Sequence, residues 1–230
     1  MNARFKEGML KPSWVLTGAL LLLTACATSD MRSPLANSMG SYQAPTYCEG
    51  DVWVYAYGEN RTRMIHGVSR IKDGLVEMDS NTIDYCRGCR FIFDQNLALQ
   101  QMLRADGTSI ARASDRKWWE FPLEVGKTWR FTIPADMDGT GATRNGTSDW
   151  MEVTLLVEAL EDVTVLAGTF RAFRVRRDFY AYPPGSRASG TRWSQRFWFA
   201  PEAKWAVKYT STRPGEQEWE LSSYYLECRP

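Results

Sequence analysis

From about position 50 onward, apolar residues recur along this chain mostly with a period of two, the signature of strands with one dry and one wet face. Val163-Thr164-Val165 alternates, Ala167-Gly168 supplies a turn, and Phe173 and Val175 then point one way while Arg174 and Arg176 point the other. This spacing predicts a hairpin. The alternation returns in Arg192-Trp193-Ser194-Gln195-Arg196-Phe197-Trp198-Phe199, which runs into the turn-like Ala200-Pro201-Glu202-Ala203, a strand from Trp205 to Thr210 and a last strand over Glu218-Trp219-Glu220-Leu221. Asp51 to Tyr57 places Val52, Val54 and Ala56 on one face and Trp53, Tyr55 and Tyr57 on the other, which predicts a strand partly covered on both sides. Asn96 to Leu103 fits helix spacing through Leu99, Met102 and Leu103, and a strand through Leu97, Leu99 and Leu103; the strand is the preferred reading. Turn signals at Asp73-Gly74, Asp106-Gly107, Asn145-Gly146 and Pro184-Gly185 punctuate these segments. The pattern predicts an all-β antiparallel domain, either a β-sandwich or a strongly curved, barrel-like sheet.

The first residues follow a different rule. Arg4, Lys6 and Lys11 precede an apolar run from Trp14 to Leu23, which ends in Leu23-Thr24-Ala25-Cys26. This is the layout of an export signal, and the run is shorter than the about 20 residues a permanent bilayer span requires. A small residue directly before a cysteine matches the lipobox of bacterial lipoproteins, so residues 1–25 are expected to be removed and Cys26 to carry lipid. Several acyl chains, at about 0.8 kcal/mol per buried methylene, would tie the chain to a membrane. Residues 26–46, rich in Ser, Ala, Pro and Gly, then read as a flexible tether, and 47–230 as one β-rich domain of ordinary size. Ala27 rather than Asp after the lipidated cysteine resembles the sorting pattern of lipoproteins delivered to the outer membrane, facing the periplasm, in a cell with two membranes.

Removing the signal changes the charge balance little. Without Arg4, Lys6, Lys11 and Glu7, the 28 bases and 27 acids become 25 and 26. A net charge near −1 gives no electrostatic reason to expect nucleic acid as a partner. Cysteine usage is more informative: with Cys26 lipidated, Cys48, Cys86, Cys89 and Cys228 remain, an even number in an oxidising compartment. Cys86-Arg87-Gly88-Cys89 has extended-looking flanks, so Arg87-Gly88 reads as a two-residue loop with the cysteines facing each other at disulfide distance. Pairing of either with Cys48 or Cys228, thiol exchange and metal binding stay open as alternatives; thiol exchange would want the first thiol at a helix N-terminus. Cys48 and Cys228 flank the domain, and domain termini are often neighbours.

Candidate chemistry is sparse. His66, the single histidine, lacks a Gly-x-Ser-x-Gly companion and reads as a partly buried strand residue. Glu152, Glu158, Glu161 and Asp162 could supply a glycosidase carboxylate pair, yet they fall on expected solvent faces and turns. Ten tryptophans are a high count; of the adjacent Trp118 and Trp119, a strand would bury only one. No catalytic residue, metal site or cofactor is expected.

Phe121-Pro122-Leu123-Glu124-Val125-Gly126-Lys127-Thr128-Trp129, Glu161 through Phe173, and Trp198-Phe199-Ala200-Pro201 through Lys208 resemble a widespread group of uncharacterised exported bacterial proteins. The likeness spans roughly residues 50 to 226 and differs from the common pattern at Leu166 and Phe199. It implies the fold and no catalytic constellation, and it does not extend to the cysteines. The expected role is a non-catalytic envelope binding or scaffold lipoprotein, meeting the membrane through Cys26 and an envelope protein, glycan or apolar ligand through its domain. Two alternatives are a carrier of an apolar ligand in a concavity lined by Trp193, Phe197 and Trp219, and a thiol-exchange enzyme using Cys86 and Cys89.

Overall fold

A computed structural model of the protein describes residues 40–81, 88–134, 150–182 and 190–228. The signal sequence, Cys26 and Cys86 lie outside the described residues, as do the turn signals at Asn145-Gly146 and Pro184-Gly185. The strands are β1 (Ser41–Tyr42), β2 (Val52–Tyr57), β3 (Thr62–Lys72), β4 (Leu75–Ser80), β5 (Cys89–Asp94), β6 (Leu99–Leu103), β7 (Ser109–Arg116), β8 (Leu123–Glu124), β9 (Thr128–Pro134), β10 (Trp150–Val165), β11 (Gly168–Tyr182), β12 (Thr191–Ala200), β13 (Trp205–Ser211) and β14 (Trp219–Tyr225). The one helical element among them is a 3-10 turn at Pro201–Ala203.

Twelve strands form a single antiparallel sheet in the order β7-β6-β5-β4-β3-β2-β14-β13-β12-β11-β10-β9, and β1 pairs with β8 apart from it. The sheet is therefore two meanders of consecutive strands, β2 to β7 and β9 to β14, welded where the last strand pairs with the first, Leu221 opposite Tyr55. Of the two expected arrangements the curved sheet is the one adopted. Its outer strands β7 and β9 come within 8 Å of each other between Cα atoms without pairing, so the barrel stays open along that seam. Curvature is plain at the tip of the β10–β11 hairpin, where the Ala167 amide reaches across to the Leu221 carbonyl on β14 at 2.9 Å.

Local chemistry accounts for these elements. Asp73 and Gly74 both adopt positive φ, 53° and 77°, which is the turn that lets β3 and β4 keep their twist. The hairpin foreseen around Ala167-Gly168 closes with Val165 opposite Gly168, and the segment with ambiguous periodicity is β6, preceded by Leu97 in the left-handed region. Alternation sorts the faces as the pattern required: Met151, Val153, Leu155 and Val157 of β10 are buried, and so are Val175 and Phe179 of β11. Within the segment read as a tether, Ser41–Tyr42 pairs with β8, and Tyr42 packs against Phe121 and Phe199 at 6.2 and 5.9 Å between ring centres.

Candidate functional site

The inward face of the sheet is built from aromatic rings in contact. Tyr55 meets Trp219 at 4.6 Å between ring centres, Trp219 stacks on Tyr209 at 5.4 Å, Tyr209 meets Phe197 at 4.7 Å, and Phe197 meets Trp119 at 6.0 Å. Register explains the row: Phe197 lies opposite Tyr209, Tyr209 opposite Trp219, and Leu221 opposite Tyr55, so cross-strand neighbours share one face. Phe197 and Trp219 nonetheless retain solvent contact, as do the inward-facing Phe91 and Trp205. The opening has a structural cause. β13 and β14 share just two paired positions, Lys208 with Glu220 and Tyr209 with Trp219, and beyond them the strands part.

A buried cation stands in this apolar face. Arg177 continues the inward series Phe173, Val175 on β11, opposite Gln195 of β12, and is 6% exposed. Its guanidinium lies 3.9 Å from the ring centre of Phe197, 4.9 Å from that of Trp118 and 5.0 Å from that of Trp119. Nη2 donates to the Trp118 carbonyl at 2.9 Å, while Nε is buried with no hydrogen-bond partner. Burial pulls its pKa down to about 9, and no carboxylate among the described residues bonds to it. Cation–π contacts contribute about 0.5–2 kcal/mol each, whereas an uncompensated buried charge costs several kcal/mol. The site is underpaired.

Polar groups beside it are committed to one another. Glu216 accepts a hydrogen bond from Gln195 Nε2 at 2.8 Å and another from the Ser211 hydroxyl. Burial, followed by the negative charge of Glu216, holds the Tyr209 phenol well above its usual pKa. Trp193 is stacked on Phe179 with ring centres 4.9 Å apart, and Arg213 lies 4.6 Å from its ring. Of the three residues expected to line a concavity, Phe197 and Trp219 face an accessible surface and Trp193 is buried.

The other sequence candidates fall elsewhere. The β10 carboxylates belong to the outer face, where Glu158 accepts from Arg174 Nε at 2.8 Å, Arg176 Nη1 at 3.0 Å and Arg196 Nε at 3.2 Å. Glu161 is held by Arg174 at 2.9 Å and by the Trp198 indole N–H at 2.8 Å; Asp162 faces Arg171 at 3.4 Å and Glu152 is exposed. Glu158 and Glu161 are thus arginine-bound, an arrangement that suits a fixed ion-pair lattice rather than a glycosidase pair. His66 points inward with its ring 5.5 Å from that of Tyr55, and burial lowers its pKa to about 4. Cys89 lies on β5 with no exposed surface, its sulfur already in a disulfide. Among the described residues, no group of three His, Cys, Asp or Glu side chains could hold a metal ion.

Cys48 and Cys228 are joined, with Cα atoms 5.8 Å apart. Beside them sits a buried pair that sequence reasoning did not single out. Asp51 accepts from the Cys48 and Glu227 amides at 3.0 and 2.8 Å and from Lys204 Nζ at 3.5 Å. Lys204 also bonds the Cys228 carbonyl.

No protein-family model matches the chain and no curated protein matches it. Among solved structures it is similar to the hypothetical lipoprotein YmcC of Escherichia coli K12, with 8% identity over 80% of this chain and 90% of that one and a TM-score of 0.45. A protein described as a candidate lipoprotein of Parabacteroides distasonis gives 11% identity over 80% and 99% of the two chains, TM-score 0.41. A candidate exported protein with a YmcC-like fold from Bacteroides fragilis gives 12% over 80% and 99%, TM-score 0.36.

Proposed function

We propose that this chain is a lipid-anchored, non-catalytic binding protein of the bacterial envelope, held to the outer membrane by lipid on Cys26, and that its binding surface is the inward aromatic face of the sheet. The observation that carries the reading is the row Phe197, Tyr209, Trp219, Tyr55, in which Phe197 and Trp219 stay in contact with solvent although they point inward. Apolar surface of this kind, gathered on a concave face, is what an apolar ligand requires. The signal layout around Cys26 and the Cys48–Cys228 disulfide fit an exported protein.

Both halves of the reading can be tested. Intact mass of the protein extracted from membranes should show acyl groups on a chain beginning at Cys26. The mature chain with Cys26→Ser, exported behind a signal of the non-lipoprotein type, should bind the uncharged fluorophore N-phenyl-1-naphthylamine saturably, with energy transfer from tryptophan. Phe197→Glu should weaken that binding at least tenfold. Folded protein that shows no saturable signal would rule the aromatic face out as a binding surface.

A further inference from the structure

Resting on that reading, we propose that the ligand is an anionic single-chain amphiphile whose head group is taken by Arg177 while its tail lies along Phe197 and Trp219. Three observations converge. The guanidinium is inward-facing and almost entirely buried, its one hydrogen bond among the described residues is to the Trp118 carbonyl, and Nε has no hydrogen-bond partner. The ring it covers most closely, Phe197 at 3.9 Å, is one of the two in the aromatic row that keep solvent contact, so cation and accessible apolar surface are contiguous.

Among the described residues, no carboxylate bonds to Arg177. Glu216, the partner of the Gln195 that lies opposite Arg177, is engaged by Gln195 and Ser211. A carboxylate or phosphate monoester has the planar or forked oxygens that fit two parallel N–H donors of a guanidinium. The head group takes up Nε and Nη2, replacing the Trp118 carbonyl, and the segment carrying Trp118 and Trp119 yields to admit it. That segment lies between β7 and β8 and belongs to no strand ladder itself; the Trp129 indole N–H to the Lys117 carbonyl at 2.8 Å and the β1–β8 pair hold its two ends.

The test compares ligands of one tail length on the mature Cys26→Ser chain by calorimetry: laurate, dodecyl phosphate and uncharged dodecanol. The expected result is that the wild type prefers an anionic ligand over dodecanol at least tenfold and that the preference falls to about one in Arg177→Met. Preference for laurate alone points to a carboxylate source and preference for dodecyl phosphate to a phosphate one. Equal affinity for all three in the wild type overturns the proposal while leaving apolar binding intact, and absence of binding by any of them overturns both. Because Arg177→Met could fold poorly, a second measurement uses the wild type alone: the carbon-13 carboxyl resonance of labelled laurate should titrate at lower pH when bound than in its aqueous monomer, and an unshifted or raised titration contradicts the guanidinium contact.

Discussion

His66 shows how one side chain can couple this fold to pH. It stands on β3 between Met64 and Val68, both buried, with its ring edge-on to Tyr55. Desolvation disfavours the imidazolium and lowers the pKa from 6.5 to about 4. The unfolded chain therefore binds a proton that the folded chain refuses between those values. The sign follows from linkage: the stabilisation is fully present above about pH 6.5 and is lost as pH falls toward 4. Since the ring keeps some solvent contact, we expect a loss of about 1–2 kcal/mol rather than the full value of the shift. Urea unfolding at pH 7 and pH 4.5 should show the wild type losing more stability than His66→Gln over that interval, and equal losses would assign the pH dependence elsewhere. Arg177 belongs to the same scale. Arg176-Arg177 is a doublet on a strand of period two, so one of the pair had to face inward, and counting from Phe173 and Val175 identifies Arg177.

At the scale of elements, the 3-10 turn Pro201–Ala203 is a hub for side chains from distant strands. The indole N–H of Trp53 donates to the Ala203 carbonyl at 2.6 Å, the Tyr47 hydroxyl to the Lys204 carbonyl at 2.6 Å, and the Tyr55 hydroxyl to the Ala206 carbonyl at 3.0 Å. Lys204, at φ 56°, carries its ammonium back to Asp51 and the Cys228 carbonyl. Asp51 and Lys204 are both almost wholly buried, so Asp51→Ala would strand an ammonium without its counter-charge and release two amides. Removing one partner of such a pair costs about 3–5 kcal/mol, and chemical denaturation should find a loss of that size; a loss below about 1 kcal/mol would show that the pair is solvated. This hub also marks what sequence could tell. Ala200 to Ala203 was legible as a turn because Pro201 restricts the backbone, and the alternation of β10 to β14 was legible because each strand has one wet face. The burial of Asp51 and Lys204 was not, since it depends on β2, the turn and the C-terminus meeting in space. For the candidate site, Phe197 and Trp219 could be read from alternation, whereas their accessibility comes from the short β13–β14 ladder, a long-range feature without a local signal.

For the whole molecule, the Cys48–Cys228 bond acts on the same weld that the β14–β2 pairing makes. The sheet consists of two meanders whose sole direct junction within the twelve-strand order is between its first and last members, β2 and β14. Cys48 enters four residues before β2, and Cys228 leaves three residues after β14. The bond spans a sequence separation of 180, and the chain-entropy account assigns a loop of that length about 5 kcal/mol. Any pull on the proposed lipid tether would arrive at residues 40–48, where the disulfide, the Tyr47 hydroxyl and the β1–β8 pair share it. The Cys48→Ser/Cys228→Ser double variant should therefore unfold at markedly lower urea concentration, by about 3–5 kcal/mol in stability. The loss should appear as one cooperative transition if the two meanders depend on each other. Two separated transitions would instead show that β2 to β7 and β9 to β14 hold together independently, and that the bond joins two halves rather than securing one sheet.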